Sequence, residues 1–167
     1  MRRLSVYSDV ETNLDAILKL SEDIDWIPAP VGYKNPAGIV ESKVDSSYRD
    51  AHLKPLKLLQ QELFPQLENY VKNYTDERLS LKTFALVKYT EGQFFKEHYD
   101  GEGDRKLSIV IYLNDDYEGG EIYFRNQGLT IKPTKNSLVM FPPTVNYLHE
   151  SKPITSGTKY IIVSFWG

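Results

Sequence analysis

The sequence predicts an α+β fold in which helices from the first half of the chain pack on a β-sheet structure formed by the second half. Before residue 80, apolar residues recur at steps of three and four, which is typical of amphipathic helices. After residue 80, short β-branched and aromatic runs alternate with turns that contain Gly, Pro and Asn. Helices and strands segregated in this way favour helices packed against a sandwich or barrel of strands.

Residues 1–79 are expected to be mostly helical support with one long loop. Ser8 or Asp9 is the predicted N-cap of the first helix. The second helical region should begin near Pro55, and Pro65 should kink or break it because proline lacks the backbone donor. Residues 26–38 contain three prolines and two glycines, so they are expected to form either a functional lid or an ordinary irregular connection.

Residues 80–167 are expected to form six to eight short strands, in runs such as LSIVIYLN and KYIIVSFW. A chain of 167 residues has a common length for one domain. We therefore expect residues 1–167 to form a single domain, with the strands of residues 80–167 as the core that carries the functional site.

The composition excludes several classes of function. The chain has no cysteine, so disulfides, thiolate metal sites and cysteine nucleophiles are excluded. Its net charge of −3 does not favour binding to nucleic acid. No run approaches the ~20 apolar residues of a membrane span, and the first residues lack the apolar core of a signal peptide. We therefore expect a cytoplasmic protein with neither a nucleic-acid nor a membrane partner.

The segment FFKEHYD places a histidine and a carboxylate two residues apart. On a strand, His98 and Asp100 would point to the same face and could bind one metal ion, whereas Tyr99 would point to the opposite face, toward sheet packing. His149 is the only other histidine in the β half. Two histidines and one carboxylate form the facial triad of non-haem iron oxygenases, which leaves coordination positions open. The alternative is a set of unconnected polar surface residues.

A lysine opens the last predicted strand. Lys159 precedes the apolar run YIIVSFW, and burying its charge costs free energy unless an anion pairs with it. It could lie at the rim with its ammonium in water, or it could face the interior and pair with the far carboxylate of a small diacid. Arg105 and Arg125 have two interpretations as well: solvated side chains, or guides for an acidic or carbonyl-bearing substrate.

An ordered series of residues spans about residues 86–166. It comprises Tyr89-x-x-Gly92-x-x-Phe95-x-x-His98-x-Asp100, Arg105-x-x-Ser108, IYLN at 111–114, GGEIYF at 119–124, IKP at 131–133, LVMF at 138–141, His149-Glu150, Pro153, Gly157 and Lys159-Tyr160. In this series the chain resembles the 2-oxoglutarate- and Fe(II)-dependent dioxygenases, and within them the prolyl 4-hydroxylase-like branch. Ile122 stands where the family often has threonine. Asn136 stands in the turn where the family usually has glycine, and asparagine tolerates the left-handed conformation expected there nearly as well.

The resemblance implies a double-stranded β-helix, or jelly roll, with N-terminal helices packed on the larger sheet. It also implies three iron ligands, a cation for the distal carboxylate of 2-oxoglutarate and two tyrosines that line the cosubstrate pocket: His98, Asp100 and His149; Lys159; Tyr89 and Tyr112. The implied cofactor is Fe(II), with 2-oxoglutarate and dioxygen as cosubstrates and ascorbate as an auxiliary reductant.

The implied reaction hydroxylates a substrate and converts 2-oxoglutarate into succinate and CO2. The resemblance implies a prolyl residue in a peptide or protein as the substrate. Another side chain or a free small molecule is an alternative substrate, whereas a nucleic-acid base is disfavoured by the acidic balance of the chain. A non-oxidative metal-binding module on a jelly roll is an alternative of another class, and it would need no cation for a diacid.

Overall fold

The computed structural model describes residues 3–167. Its α-helices are α1 (Leu14–Leu20), α2 (Gln60–Leu63) and α3 (Leu67–Tyr74), and short 3₁₀ turns occur at Lys57–Leu59 and Val145–Tyr147. The strands, in chain order, are β1 (Ser5–Tyr7), β2 (Ile27–Pro28), β3 (Val31–Lys34), β4 (Val40–Lys43), β5 (Arg49–Asp50), β6 (His52–Pro55), β7 (Leu81–Tyr89), β8 (Phe94–His98), β9 (Leu107–Tyr112), β10 (Glu118–Gly119), β11 (Ile122–Phe124), β12 (Leu129–Ile131), β13 (Ser137–Phe141), β14 (His149–Ser151), β15 (Ile154–Ser156) and β16 (Lys159–Trp166).

Two antiparallel sheets enclose the centre of the molecule. In the described part of the chain, the larger sheet has seven strands in the order β1-β13-β9-β16-β7-β6-β2, and the smaller has five in the order β12-β11-β14-β8-β5. Two further pairs, β3–β4 and β10–β15, lie outside these sheets. Most neighbouring strands are not consecutive in the chain, as the crossing connections of a jelly roll require. The predicted double-stranded β-helix is confirmed.

Alternation along the strands of the larger sheet separates two apolar clusters. On β9, Leu107, Ile109 and Ile111 face the helices, whereas Val110 and Tyr112 face the smaller sheet. The helical side receives apolar side chains from all parts of the N-terminal layer: Ile17, Phe64, Leu67 and Val71. The predicted packing of N-terminal helices on the larger sheet is therefore confirmed.

The prediction that residues 1–79 are mostly helical is wrong. Six strands, β1 to β6, lie in this part of the chain, and the helices are short. The spacing of Leu53 from later leucines also fits a helix, but its backbone pairs with Ile27 on one side and Val87 on the other. Pro55 ends strand β6 opposite Ala85 and does not begin a helix. Hydrogen bonds to distant strands override the local periodicity here.

Of the two predictions about helix ends, one is wrong and one is confirmed. Helix α1 is capped by Asn13, whose side-chain oxygen accepts a hydrogen bond from the Ala16 amide at 3.0 Å, and not by Ser8 or Asp9 as predicted. The break at Pro65 is confirmed, because α2 ends before it and α3 begins after it. None of the helices formed by residues 3–167 is long and apolar enough to cross a membrane.

The predicted irregular segment at residues 26–38 contains strands instead. Strand β3 pairs with β4 as an antiparallel hairpin, with Val31 opposite Lys43 and Lys34 opposite Val40. The Tyr33 hydroxyl donates to Glu41 across the hairpin at 2.6 Å. This hairpin lines the cavity between the two sheets, as described below.

Removal of one buried ring should test whether the helical layer stabilises the sheet. Phe64 is fully buried (0% exposed), and its ring centroid lies 6.0 Å from that of Phe84 on β7. We expect Phe64→Ala to lower the free energy of unfolding by about 3–5 kcal/mol, because it leaves a cavity between the layers. Urea denaturation measures this, with Leu58→Ala, at a 100% exposed position, as the control. Equal effects of the two substitutions would contradict the prediction.

Candidate metal and cosubstrate site

The six residues predicted for the site line one cavity of about 610 Å³ between the two sheets. Most stand at strand ends: Tyr89 ends β7, His98 ends β8, Tyr112 ends β9, His149 begins β14 and Lys159 begins β16. Strand pairing places His149 opposite His98, and Lys159 opposite Tyr89. The fold therefore brings residues from five strands and one loop to a common space.

Three metal-ligating side chains converge at one end of this cavity. The Nε2 atoms of His98 and His149 lie 3.4 Å and 3.8 Å from Oδ1 of Asp100. All three donor atoms lie within 4.8 Å of one another. A single ion placed among them would contact two imidazole nitrogens and one carboxylate oxygen, the donor set that suits non-haem Fe(II).

Backbone carbonyls determine which imidazole nitrogen is available. Nδ1 of His98 lies 2.7 Å from the Lys96 carbonyl oxygen, and Nδ1 of His149 lies 2.9 Å from that of Tyr147. A carbonyl oxygen can only accept a hydrogen bond, so the hydrogen sits on Nδ1 in each neutral ring. Each Nε2 then presents its lone pair toward Asp100, which is the arrangement a metal requires.

Aromatic rings hold the two imidazoles in place. Phe95 stacks on His98 with ring centroids 3.5 Å apart and an interplanar angle of 13°. Phe124 and Phe141 lie against His149, with centroid distances of 5.4 Å and 4.8 Å. These contacts fix the side-chain orientations before any ligand binds and keep water away from the buried ring of His149.

The charges at these residues also suit metal binding. Burial lowers the pKa of His149 to about 4, with His98 adding to this effect and Asp100 opposing it, so the ring is neutral at neutral pH. Burial acts to raise the pKa of Asp100, but His149, His98 and Ser108 outweigh it, and the pKa lies well below its usual value. A neutral imidazole and an ionised carboxylate are the protonation states that bind a cation. The residues present therefore fit Fe(II).

The prediction for Tyr99 is wrong. Strand β8 ends at His98, so Tyr99 and Asp100 lie in the loop that follows it. The Tyr99 side chain is 42% exposed and lines the cavity instead of packing into the sheet. Strand alternation cannot be extended past the last hydrogen-bonded residue, because the loop backbone is free to turn.

Lys159 is a buried cation at another part of the cavity. Its side chain is 2% exposed, and Nζ donates to the Gly120 carbonyl oxygen at 3.0 Å and to Ser151 Oγ. Nζ also lies 4.4 Å from the centre of the Tyr89 ring. Among residues 3–167, no acidic side chain forms a direct ion pair with Lys159. Burial lowers the pKa of Lys159 to about 7, with Glu121 partly opposing the shift.

A glycine makes the contact with Lys159 possible. Gly120 has φ of +67°, and a Cβ atom there would lie 2.4 Å from Ile154 Cδ1 and 3.3 Å from Lys159 Nζ. Only glycine adopts this backbone conformation without strain while leaving space for the ammonium group. Asn136, the non-glycine residue at the predicted left-handed position, has φ of +65°.

Both predicted tyrosines are buried beside Lys159. Burial is the main cause that raises the pKa of Tyr89, and it raises the pKa of Tyr112 further above the usual value. Both hydroxyl groups therefore remain protonated at neutral pH and can donate hydrogen bonds to an anion in the cavity.

The buried ammonium should make stability depend on pH. The folded pKa of Lys159 is about 7, below the ordinary value of 10.5. Between these two pKa values, Lys159 is protonated in the unfolded chain but largely neutral in the folded protein. The free energy of unfolding should therefore rise with pH from about 7 toward 10. Thermal denaturation without 2-oxoglutarate at several pH values measures the slope. Lys159→Met should flatten it, and parallel curves for the two proteins would contradict the prediction.

Arg49 and Ser151 line the cavity beside the predicted site residues, although neither was singled out from the sequence. The guanidinium of Arg49 stacks on Phe95 at 4.5 Å and donates to the Pro30 carbonyl oxygen at 2.9 Å, while its buried Nε has no partner among the described residues. Ser151 contacts Lys159. Strand alternation could have identified Ser151, which lies two residues after His149. No local signal identifies Arg49, because β5 has only two residues.

The two arginines considered from the sequence differ in their surroundings. Arg105 lines the cavity, pairs with Glu102 at 3.2 Å and stacks on Phe165 at 3.9 Å. Arg125 is exposed and pairs with Glu97 at 2.8 Å, away from the cavity lining. Of these two, Arg105 is therefore the one positioned to contact a bound substrate.

A jelly roll that encloses two histidines, a carboxylate and a buried lysine defines the class of non-haem iron oxygenases. The family model of the 2OG-Fe(II) oxygenase superfamily matches residues 84–167. The chain belongs to this superfamily, whose members use Fe(II), 2-oxoglutarate and dioxygen.

Relatives of this chain include proteins described as prolyl and as lysyl hydroxylases. A protein of Acanthamoeba polyphaga mimivirus, described as a candidate prolyl 4-hydroxylase, is 28% identical over 119 residues, covering 58% of this chain and 49% of the relative. Procollagen-lysine,2-oxoglutarate 5-dioxygenase 1 of Homo sapiens is 33% identical over 114 residues, covering 65% of this chain and 15% of the relative. The chain thus spans about half of the first relative and a smaller part of the second.

Solved structures of low sequence identity share the fold. A prolyl hydroxylase of Trichoplax adhaerens, in complex with a hypoxia inducible factor peptide fragment, has a TM-score of 0.72 at 14% identity and covers 99% of this chain and 84% of its own. A prolyl-4-hydroxylase of Pseudomonas putida has a TM-score of 0.68 at 16% identity and covers 99% and 93%. Both likenesses extend over the N-terminal layer as well as the jelly roll.

Proposed function

We propose that this protein is a 2-oxoglutarate- and Fe(II)-dependent dioxygenase that hydroxylates prolyl residues in a peptide or protein. In the balanced reaction, the substrate, dioxygen and 2-oxoglutarate yield the hydroxylated substrate, succinate and CO2. The observation that carries this proposal is that one cavity holds both the His98, Asp100 and His149 cluster and the buried ammonium of Lys159, which has no acidic partner among residues 3–167. A metal-binding module would not need the cation.

The roles of the residues follow from their chemistry. His98, Asp100 and His149 would hold Fe(II) through the three facing donor atoms. When bound, Fe(II) supplies the redox chemistry that couples decarboxylation of 2-oxoglutarate by dioxygen to hydroxylation of a C–H bond. Lys159 would neutralise the distal carboxylate of 2-oxoglutarate, since a buried cation without a counter-ion gains most from an arriving anion. The tyrosine hydroxyls beside it add neutral donors.

The charges that line the cavity favour a prolyl over a lysyl substrate. Apart from Asp100, the acidic side chains that line it are Asp45 and Glu102. Asp45 lies 3.6 Å from Lys43 Nζ, and Glu102 lies 3.2 Å from Arg105. A lysyl ammonium would therefore have no unpaired carboxylate to meet among the described lining residues, apart from the predicted metal ligand. The neutral ring of proline avoids this desolvation cost.

The hairpin of β3 and β4 provides a wall against which a peptide could lie. It lines the cavity through Val31, Tyr33 and Val40, and it contacts the loop after Asp100, because Glu102 approaches Gly32 so closely that a Cβ there would lie 1.6 Å from Oε1. Exposed aromatic side chains beside a cleft are typical of sites that bind extended, proline-containing segments. Arg49 lines the same cavity, and its buried Nε has no partner among the described residues.

Product analysis with a peptide panel tests the proposal. The protein is incubated with Fe(II), 2-oxoglutarate and air, with and without ascorbate, and with a proline-rich peptide or with matched peptides in which alanine or lysine replaces proline. We expect succinate and a gain of one oxygen atom on the proline peptide alone. A gain on the lysine peptide would assign a lysyl substrate. No succinate with any peptide would contradict the oxygenase proposal itself.

A further inference from the structure

The side chain of Glu102 lies between the β3–β4 hairpin and the loop that carries Asp100. This loop joins β8 to β9, and the Glu102 carboxylate approaches Gly32 on β3 so closely that a Cβ atom at residue 32 would overlap it. Gly32 does not have a positive φ, so the position requires glycine for space and not for its backbone conformation. The hairpin and the loop therefore make a contact that any larger residue at position 32 would disturb.

The same carboxylate is connected to the backbone of the proposed metal ligand. Its Oε2 lies 3.2 Å from Nη2 of Arg105, and Nη1 of Arg105 donates to the Asp100 carbonyl oxygen at 3.1 Å. The backbone amide of Glu102 donates to that carbonyl oxygen as well, at 2.9 Å. Stacking on Phe165 at 3.9 Å holds the guanidinium group from another side. The Asp100 backbone thus accepts two hydrogen bonds, and the guanidinium that donates one of them is oriented by Glu102.

We propose that Glu102 is a positioning residue that couples the β3–β4 hairpin to the metal cluster. One of its oxygens contacts Gly32 and the other pairs with Arg105, so a displacement of the hairpin changes the ion pair and then the position of Asp100. This inference rests on the proposed function, because it requires Asp100 to bind the metal. Coupling between two sites is reciprocal, so metal binding should also stabilise the hairpin.

A double-mutant cycle on Gly32 and Glu102 measures this coupling. Wild-type protein, Gly32→Ala, Glu102→Ala and the double variant are titrated anaerobically by calorimetry, with Mn(II) in place of Fe(II). Each single substitution should weaken Mn(II) binding about tenfold, because the carboxylate is either displaced from Arg105 or removed. The double variant should bind Mn(II) no more weakly than Glu102→Ala, since the added methyl group then meets no carboxylate. Glu102→Gln keeps an acceptor for Arg105 and should restore most of the affinity.

Hydrogen exchange tests the reciprocal effect on the hairpin. In wild-type protein, saturating Mn(II) should slow amide exchange across residues 31–43, whereas in Glu102→Ala it should slow exchange near the metal cluster alone. Glu118→Ala is the matched control, because it removes an exposed carboxylate that lies 3.0 Å from Lys132 Nζ, outside the cavity lining. This control should behave as wild type in both measurements. Thermal denaturation checks that each variant is folded.

The opposing results separate this inference from the proposed function. Unchanged Mn(II) affinity in the two single variants, additive losses in the double variant, or equal protection of the hairpin in wild type and Glu102→Ala would each overturn the inference. All three would leave the proposed function intact. A wild-type protein that does not bind Mn(II) would overturn the proposed metal site and the inference together.

Discussion

Replacing His149 with alanine should abolish succinate formation and lower the affinity for Fe(II) or Mn(II) by more than about a hundredfold. Losing a residue that only supports a metal ligand already costs ~10–100-fold in affinity, and losing a proposed ligand should cost more. His149 contributes one of three convergent donor atoms, and its ring is held by Phe124 and Phe141. Calorimetric titration of the metal and a succinate assay measure the two effects.

The chain offers a matched control for this substitution. His52 is a half-buried histidine on β6, outside the metal cluster, and its Nδ1 lies 3.4 Å from Gln93 Nε2. His52→Ala should retain metal affinity within about threefold of wild type. If His149→Ala binds metal as tightly as His52→Ala does, the proposed ligand set is wrong. A folded but inactive His149→Ala protein with weakened metal binding supports it.

Replacing Lys159 with methionine should weaken 2-oxoglutarate binding by about thirtyfold to several thousandfold. Removing one partner of a buried, hydrogen-bonded charge pair costs ~2–5 kcal/mol, much of it from the charge left unpaired. Methionine fills a similar volume without the charge, so the cavity wall should persist. The same variant should be no less stable than wild type without ligand, because an unpaired buried cation costs free energy. Affinity and stability should therefore change independently.

Two comparisons make this result decisive. Lys152→Met removes an ammonium that pairs with Glu150 and lies 5.2 Å from the Tyr123 ring, outside the cavity lining, and it should bind 2-oxoglutarate normally. For Lys159→Met, 2-oxobutanoate should bind about as well as to wild type, since it has no distal carboxylate. If 2-oxoglutarate affinity survives in Lys159→Met, another cation must hold the cosubstrate. Arg49 and Arg105 would then be the residues to replace next.

Sequence reasoning was most reliable where the structure is governed by local alternation and by side-chain chemistry. The run 107–112 was expected to be a strand from its β-branched residues, and it forms β9 in the middle of the larger sheet. The break at Pro65 and the left-handed Asn136 also followed from the covalent geometry of single residues. Such features depend little on distant partners, so a single sequence contains enough information to predict them.

Prediction failed where distant partners decide the conformation. Strand β6 exists because it pairs with β2 and β7, although its leucine also fitted a helical spacing. The hairpin of β3 and β4 lies in a segment rich in proline and glycine, which by itself indicates only a loop. Tyr99 was misplaced because the point at which β8 ends depends on its neighbours in the sheet. None of these partners can be identified from local periodicity.

The sequence by itself determined the donor chemistry of this protein: two histidines, an aspartate and a lysine, with no cysteine to compete, in an order that resembles one family. Only the tertiary structure decided that these groups meet. Pairing of β14 with β8 brings His149 opposite His98, and the carbonyls of Lys96 and Tyr147 leave both Nε2 atoms free toward Asp100. The Ser151 contact with Lys159 likewise exists only because β16 and β14 face each other across the cavity. Residue types set what a site can bind, whereas distances between residues far apart in the chain arise from strand pairing and packing.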